Sequence, residues 1–399
     1  MKISMKFFTG LLLAAQFLSG CNFSKNIRFE CPDIETDLSD LKSNGSLFLA
    51  GNGTYLGTYL MDMGSLAMTQ INKPNEGFYY FASSPEHTWI AYISTVSDNL
   101  VIADKENKVI KSIAREDDWA YAEWLNEEQL IVDLIRKDQM SDTSNFLILN
   151  PFTDERSLLN ANYPEIYYDE PWRIIEYNSR FDQVVYLQGP VSGDGMYYYI
   201  LWDIKNKVAL AKLDPVGDIR ARPNWFTDGS KFVIALNTFF KINDSPHYEI
   251  FNVSRDGSIT QTTHFSDYFP WVYVTNLSWS PDSRYIAFWY SSWTDTAPGH
   301  DLADRYLGVL DLRTGDVTSY CIRGELDIEL GMSKYSPPIW SPDGKQIVFR
   351  SQIGEHYVLD SQAILVDIQK NRAFLIAEKL EPVSPMRLGY APRSPSRSR

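Results

Sequence analysis

The sequence predicts an all-β protein assembled from repeated four-stranded units, and three observations carry that prediction. Aromatic residues make up 14% of the 399 residues, including 11 Trp and 24 Tyr; such side chains pack well on pleated surfaces. Two stretches, WSPDSRYIAF (279–288) and WSPDGKQIVF (340–349), are near copies of each other. A second pattern, an apolar strand ending in Asp or Asn, a short polar turn and another strand, recurs along the chain.

The first repeat survives in weaker forms as WFTDGSKFVIAL (225–236), YNSRFDQVVYL (177–187), WLNEEQLIVDL (124–134), SSPEHTWIAYI (83–93) and KSNGSLFLA (42–50). Each reads as a tight turn running into a buried strand. Pro281 and Pro342 preset φ for the second turn position, and the Asp after each favours the third. Trp124, Trp225, Trp279 and Trp340 stand just before their turns, where they are expected to pack between units rather than to bind a ligand.

The polar residues of the second pattern are Asp62, Asp104, Asn150, Asp203, Asn252, Asp311 and Asp367, at successive spacings of 42, 46, 53, 49, 59 and 56 residues. Asp and Asn suit such positions because their side chains accept from turn N–H groups and close a hairpin locally. Two hairpins per spacing make four strands in about 40–60 residues, which is the arithmetic of a β-propeller blade. One blade cannot bury both faces alone, so neighbours must stack. Seven blades are expected, with six as the alternative. A first strand for the first blade is hard to find in IETDLSDLK (34–42), so LEPVSPMRLGYA (380–391) is expected to supply it or pack beside it.

These repeats resemble the TolB-type propeller repeat (PD40), a relative of the WD40 pattern. The resemblance covers about residues 42–377 and is closest at 279–288 and 340–349. It implies a propeller in a cell-envelope protein that binds other proteins. TolB carries an α/β domain before a six-bladed propeller, whereas here only about twenty residues lie between Cys21 and the first repeat. That difference leaves the fold implied and weakens the transfer of TolB's role.

The N-terminus has the layout of a secretory signal peptide over residues 1–20: basic MKISMK, an apolar run FFTGLLLAAQFL, then LSGC at 18–21. The run of 12 is too short to span a bilayer as a helix. LSGC resembles the bacterial lipobox, which implies acylation of Cys21; the other reading is an ordinary signal peptide with an incidental Cys. Two acyl chains suffice for stable anchoring. Residues 21–41 would then be anchor and linker, 42–391 the propeller, and 392–399 a disordered basic tail. The implied address is the bacterial cell envelope, lipid-anchored and extracytoplasmic. In a Gram-negative cell, Asn22 after the Cys leans toward the outer membrane facing the periplasm.

Removing 1–20 takes away Lys2 and Lys6 and no acid, so a net charge of −14 becomes −16. Such a chain repels phosphate backbones, and nucleic acid is excluded as a partner. Of the three Cys, Cys31 and Cys321 remain after lipidation. In an oxidising compartment they pair as a disulfide or stand as separate thiols.

If the Ser-Pro-Asp turns and Asp-ended turns share one face, the opposite face carries the longer connections at 160–172, 214–225, 263–276, 291–306 and 323–338. Long loops in compact domains are usually functional or disordered. They hold Tyr167, Tyr168, Tyr268, Phe269, Trp271, Tyr273 and Trp293, which are the candidate binding residues for an envelope protein or peptide. The plainer reading is that these aromatics fold back to cap the core. His247, His300 and His356 fall in comparable loops with Asp301, Asp304 and Glu355 nearby, but no fixed ligand spacing appears, and no metal is assigned. No catalytic residue is assigned either. There is no Gly-x-Ser-x-Gly elbow, GMSKY (331–335) fails its last position, and no Gly-rich phosphate loop is present. No cofactor is implied. The function read from the sequence is a protein-binding scaffold. Its alternative is an enzyme or carbohydrate-binding protein with a site at the central mouth.

Overall fold

Trp279-Ser280-Pro281-Asp282 shows how the repeat builds a blade. Ser280 Oγ accepts from Tyr285 N–H at 2.8 Å and donates to Asp282 Oδ1 at 2.7 Å, and Asp282 Oδ1 accepts from Arg284 N–H at 3.1 Å. The second copy repeats the pattern: Gln346 N–H to Ser341 Oγ at 2.9 Å, Ser341 Oγ to Asp343 at 2.7 Å, and Lys345 N–H to Asp343 at 3.2 Å. Ser283 (φ 63°) and Gly344 (φ 67°) take the left-handed turn position in each copy. The four motif Trp residues are all buried. Trp124, Trp279 and Trp340 donate their indole N–H to a carbonyl of the preceding blade's innermost strand, on Ala82 (3.2 Å), Asn224 (2.9 Å) and Ser278 (3.1 Å). The motif is a turn at one end and an inter-blade clasp at the other.

The structure is a computed structural model. It describes residues 27–51, 58–71, 78–84, 88–94, 96–104, 108–115, 119–135, 144–159, 173–188, 197–216, 223–226, 228–238, 247–293, 304–321, 328–329, 337–353 and 360–382. Among these the strands form seven sheets, and the only helix is a short 3₁₀ turn, Phe265–Asp267. From the innermost strand outward, blade 2 is Phe78–Ser83, Trp89–Ser94, Asn99–Asp104 and Val109–Ala114. Blade 3 runs Trp119–Trp124, Leu130–Ile135, Ser144–Leu149, Arg156–Leu158, and blade 4 Arg173–Asn178, Gln183–Gln188, Tyr197–Asp203, Val208–Val216. Blade 5 is Asn224–Trp225, Lys231–Asn237, Tyr248–Ser254 and Ile259–Gln261. Blade 6 is Trp271–Trp279, Tyr285–Trp293, Asp304–Asp311 and Val317–Tyr320. In blade 7 the innermost position is shared by Ile328–Glu329 and Ile339–Trp340, followed by Gln346–Ile353, Asp360–Asp367 and Arg372–Glu378.

Blade 1 joins the two ends of the chain. Its innermost strand, Leu380–Pro382, pairs antiparallel with Ser46–Gly51, followed by Thr58–Asp62 and Met68–Gln70. The expected C-terminal closure is therefore made by the first three residues of 380–391; the rest of that stretch lies outside the described residues. Seven apolar clusters fill the seven gaps between successive blades. One of them sets Leu47, Leu49 and Met61 of blade 1 against Val348, Leu365 and Phe374 of blade 7, so the ring is closed and seven-bladed.

Second strands are the most buried and outer strands the least, except in blades 6 and 7, where the N-terminal strands cover Val317–Tyr320 and Arg372–Glu378. A second strand such as Lys231–Asn237 has neighbouring blades on both faces and is buried along its apolar run, while the outermost Met68–Gln70 and Arg156–Leu158 are exposed throughout. That explains the continuous runs FVIAL and LVIA in place of strict alternation.

The outer hairpins use their acids as expected, with one correction. Asp62, Asp104, Asn150, Asp203, Asp311 and Asp367 each accept from a turn N–H two to four residues on, at 2.7–3.1 Å. Asn252 does not. It lies inside its strand, opposite Val233 and Thr260, and the turn acceptor in blade 5 is Asp256, bonded to Ser258 N–H at 2.9 Å. The strand continues two residues beyond Asn252, to Ser254.

Residues 21–41, expected as anchor and linker, hold two further strands. Ile27–Glu30 adds in parallel to the outer edge of blade 6 at Val317–Tyr320, and Ile34–Glu35 adds in parallel to blade 7 at Ala373–Phe374. A disulfide joins Cys31 to Cys321, with Cα atoms 4.6 Å apart. Arg372 pairs with Glu35, Asn371 Nδ2 donates to Glu30 at 2.7 Å, and Gln346 Nε2 donates to the Lys42 carbonyl at 2.8 Å. The N-terminal segment is thus a strap across two blades.

Gly308 marks the tightest packing in blade 6. A Cβ there would sit 2.4 Å from Cζ of the fully buried Phe288 directly across the sheet. Gly308→Ala is expected to cost about 1–3 kcal/mol by overpacking. Gly64→Ala is the control, because its added methyl meets nothing closer than 3.4 Å. Equal melting temperatures for the two variants would contradict this packing account.

Candidate functional site

The antiparallel order of each blade sends the first-to-second and third-to-fourth connections to one side and all other connections to the opposite side. The Ser-Pro-Asp and Asp-ended turns thus share the short-turn side. The long-loop side carries the connection from blade 5 to blade 6, residues 262–270, which is fully described.

That connection is held from beneath by Glu249, which is fully buried. Its carboxyl group accepts from Thr263 Oγ1 at 2.7 Å, Phe265 N–H at 2.9 Å and Ser266 N–H at 2.9 Å. Thr263 Oγ1 also accepts from Ile250 N–H at 2.8 Å, and Gln261 Nε2 donates to the Thr263 carbonyl at 2.7 Å. Phe265 drops into the gap between blades, stacked 5.4 Å from Tyr290. The loop is therefore clamped by hydrogen bonds on one side and an aromatic anchor on the other.

Its exposed product is Tyr268, at 46% accessibility. Trp271, half-buried, begins the innermost strand of blade 6, in register with Trp293 on the next strand. Phe269 lies 6.0 Å from Tyr290, and Tyr273 packs edge-on to Tyr248 at 4.8 Å. These two fold back into the cluster between blades 5 and 6. The candidate aromatics at 268–273 accordingly divide: Tyr268 and Trp271 face outward in part, while Phe269 and Tyr273 pack inward. Trp293 is placed by its backbone, and Tyr167, Tyr168 and Cys21 lie outside the described residues. Glu249 and Thr263 were not singled out by sequence reading. The available signal was one acid beside the apolar pair Ile250-Phe251 in the strand YEIFNV.

Among the described residues no group of three or more His, Cys, Asp or Glu is arranged to hold a metal ion. His247 forms a backbone bridge with Val272, and His300 and His356 lie outside the described residues.

A closed ring of seven four-stranded blades, sealed by its C-terminal strand and strapped by its N-terminal segment, makes this protein a β-propeller. No family model matches the chain, and no curated protein matches it. Among solved structures it is similar to TolB from Acinetobacter baumannii, at 13% identity and a TM-score of 0.41 over 87% of this chain and 65% of that one. This chain thus spans slightly less than two thirds of that TolB's length. It is also similar to the β-propeller domain of Cps50 (Swd1) from Myceliophteria thermophila, at 10% identity and a TM-score of 0.46 over 90% of this chain and 99% of that one. Hydrazine synthase from Kuenenia stuttgartiensis matches at 10% identity and a TM-score of 0.45, over 92% of this chain and 99% of that one.

Proposed function

We propose that this protein is a lipid-anchored, extracytoplasmic β-propeller that binds an envelope protein or peptide through its long-loop side. One observation carries the binding half of the reading. The buried Glu249 carboxyl fixes the 263–266 backbone, and the adjacent Tyr268 is left exposed. An exposed aromatic on a rigid support is what contact hot spots use, because little conformational entropy is lost when it is covered. The location half is supported by LSGC at 18–21 and by the Cys31–Cys321 disulfide, which suits an oxidising compartment. A rigid ring displays the loops, and a tether keeps them at high local concentration near other envelope components.

The test is crosslinking and affinity capture of the tagged full-length chain in its own membranes, beside Tyr268→Ala. Wild type is expected to retain a specific protein, and Tyr268→Ala to lose it by about 30-fold, the effect of a hot spot worth about 2 kcal/mol. Undiminished capture by a normally folded Tyr268→Ala, or no specific capture by wild type, would sink the scaffold reading.

A further inference from the structure

We infer that the anchor leaves the ring at the short-turn side of blade 6, so that the bilayer lies on that side and the long-loop side is turned away from it. The inference rests on lipidation at Cys21 and specifies the partner: one that approaches from the aqueous compartment, not one embedded in the same bilayer.

The direction of the first strand carries the argument. Ile27–Glu30 runs parallel to Val317–Tyr320, with Ile27 opposite Val317 and Glu30 opposite Tyr320. Val317 follows directly on the Asp311–Asp316 turn, so Ile27 enters at the short-turn side. Cys21 precedes Ile27 by six residues in the sequence. Fully extended, that length reaches about 20 Å. The adjacent strand Asp304–Asp311 has 8 residues and spans about 24 Å from its first Cα to its last, from one side of the ring to the other. Ile27 lies level with Leu310, about 20 Å from Asp304, so a taut tether that must first double back falls short of the long-loop side while the strap stays paired.

The strap is also secured against the reversal that would be needed. Its far end is fixed by Cys31–Cys321 and by Cys321 N–H donating to the Glu30 carbonyl at 2.9 Å. A pull from the anchor runs along the strand and loads these bonds in shear instead of peeling them one by one. Three acids at the nearby turns are paired, Arg284–Asp311 at 2.6 Å, Lys345–Asp343 at 3.5 Å and Lys370–Asp367 at 3.5 Å. Paired charges let this rim of an acidic chain approach anionic headgroups without a large repulsive cost.

The experiment uses full-length lipidated protein in phosphatidylethanolamine/phosphatidylglycerol vesicles doped with a headgroup-nitroxide lipid. A fluorophore is attached through a bioorthogonal residue at either Arg313, in the outer turn of blade 6, or Tyr268, which leaves the disulfide intact. The expected result is several-fold stronger quenching at Arg313 than at Tyr268. Equal quenching, or stronger quenching at Tyr268, in a chain whose Cys21 carries lipid by mass spectrometry would overturn the orientation alone. A chain without lipid on Cys21 that stays off the vesicles would overturn the orientation together with the anchoring on which it rests.

Discussion

Glu249→Ala is expected to lower stability by about 3–5 kcal/mol, more than its volume alone would give. Three donors (Thr263 Oγ1, Phe265 N–H and Ser266 N–H) converge on a side chain with no solvent exposure. Removing it strands buried donors at about 1–3 kcal/mol each, partly relieved where the loop can reach water. Glu249→Gln keeps one carbonyl acceptor but turns an amide N–H toward a donor, so its melting temperature should fall between those of wild type and Glu249→Ala. Partner capture should fall with it, because Tyr268 is presented by the same backbone. If Glu249→Ala melts with wild type, the loop is not held from beneath and the site's construction has been misread.

Opening the Cys31–Cys321 disulfide, by Cys31→Ser with Cys321→Ser, is expected to cost about 2–5 kcal/mol. The bridge spans 290 residues, so it withdraws much freedom from the unfolded chain. The ring itself should persist, because Leu380–Pro382 closes blade 1 without help from the strap. The strap should then fray first, and limited proteolysis should cut between residues 27 and 42 before any cut in the blades. One remaining strap contact, Glu35 with Arg372, is pH-sensitive. The hydrogen bond from Arg372 holds the Glu35 carboxyl below its ordinary range. Its contribution is therefore present above the ordinary carboxyl pKa and fades as the pH falls through the lowered value. Reduced protein should lose the strap at acidic pH more readily than oxidised protein. Identical melting and identical proteolysis with and without the bridge would remove the strap from the stability account.

The residues that were legible in advance are those whose bonds close within a few positions. Ser280 and Ser341 bond to the N–H five residues on, and Asp282 and Asp343 to the N–H two residues on. Six of the seven hairpin acids or amides behave the same way. Asn252 misled because NVSRDG contains two polar anchors four residues apart, and only pairing with Lys231–Asn237 decides which one ends the strand. At the site, Tyr268, Phe269 and Tyr273 look interchangeable as letters. What separates them is whether a neighbouring blade stands opposite: Tyr290 covers Phe269 and Tyr248 covers Tyr273, while Tyr268 has the open side.

By itself, then, the sequence determined the repeat, the blade as its unit and the chemistry of most turns, all of which depend on local hydrogen bonds and on apolar runs flanked by neighbours; it favoured seven blades over six, and ring closure settled that count. Only the tertiary structure decided the rest: which three residues of the expected 380–391 stretch complete blade 1, that 27–35 lies along blades 6 and 7, and that Glu249 props the loop bearing Tyr268. Parallel edge addition and ring closure are made by backbone groups and by partners some 300 residues distant, as between Ile27 and Val317 or Leu49 and Pro382. Backbone hydrogen bonds are open to almost any side chain, so such pairings leave little imprint on the residues that make them.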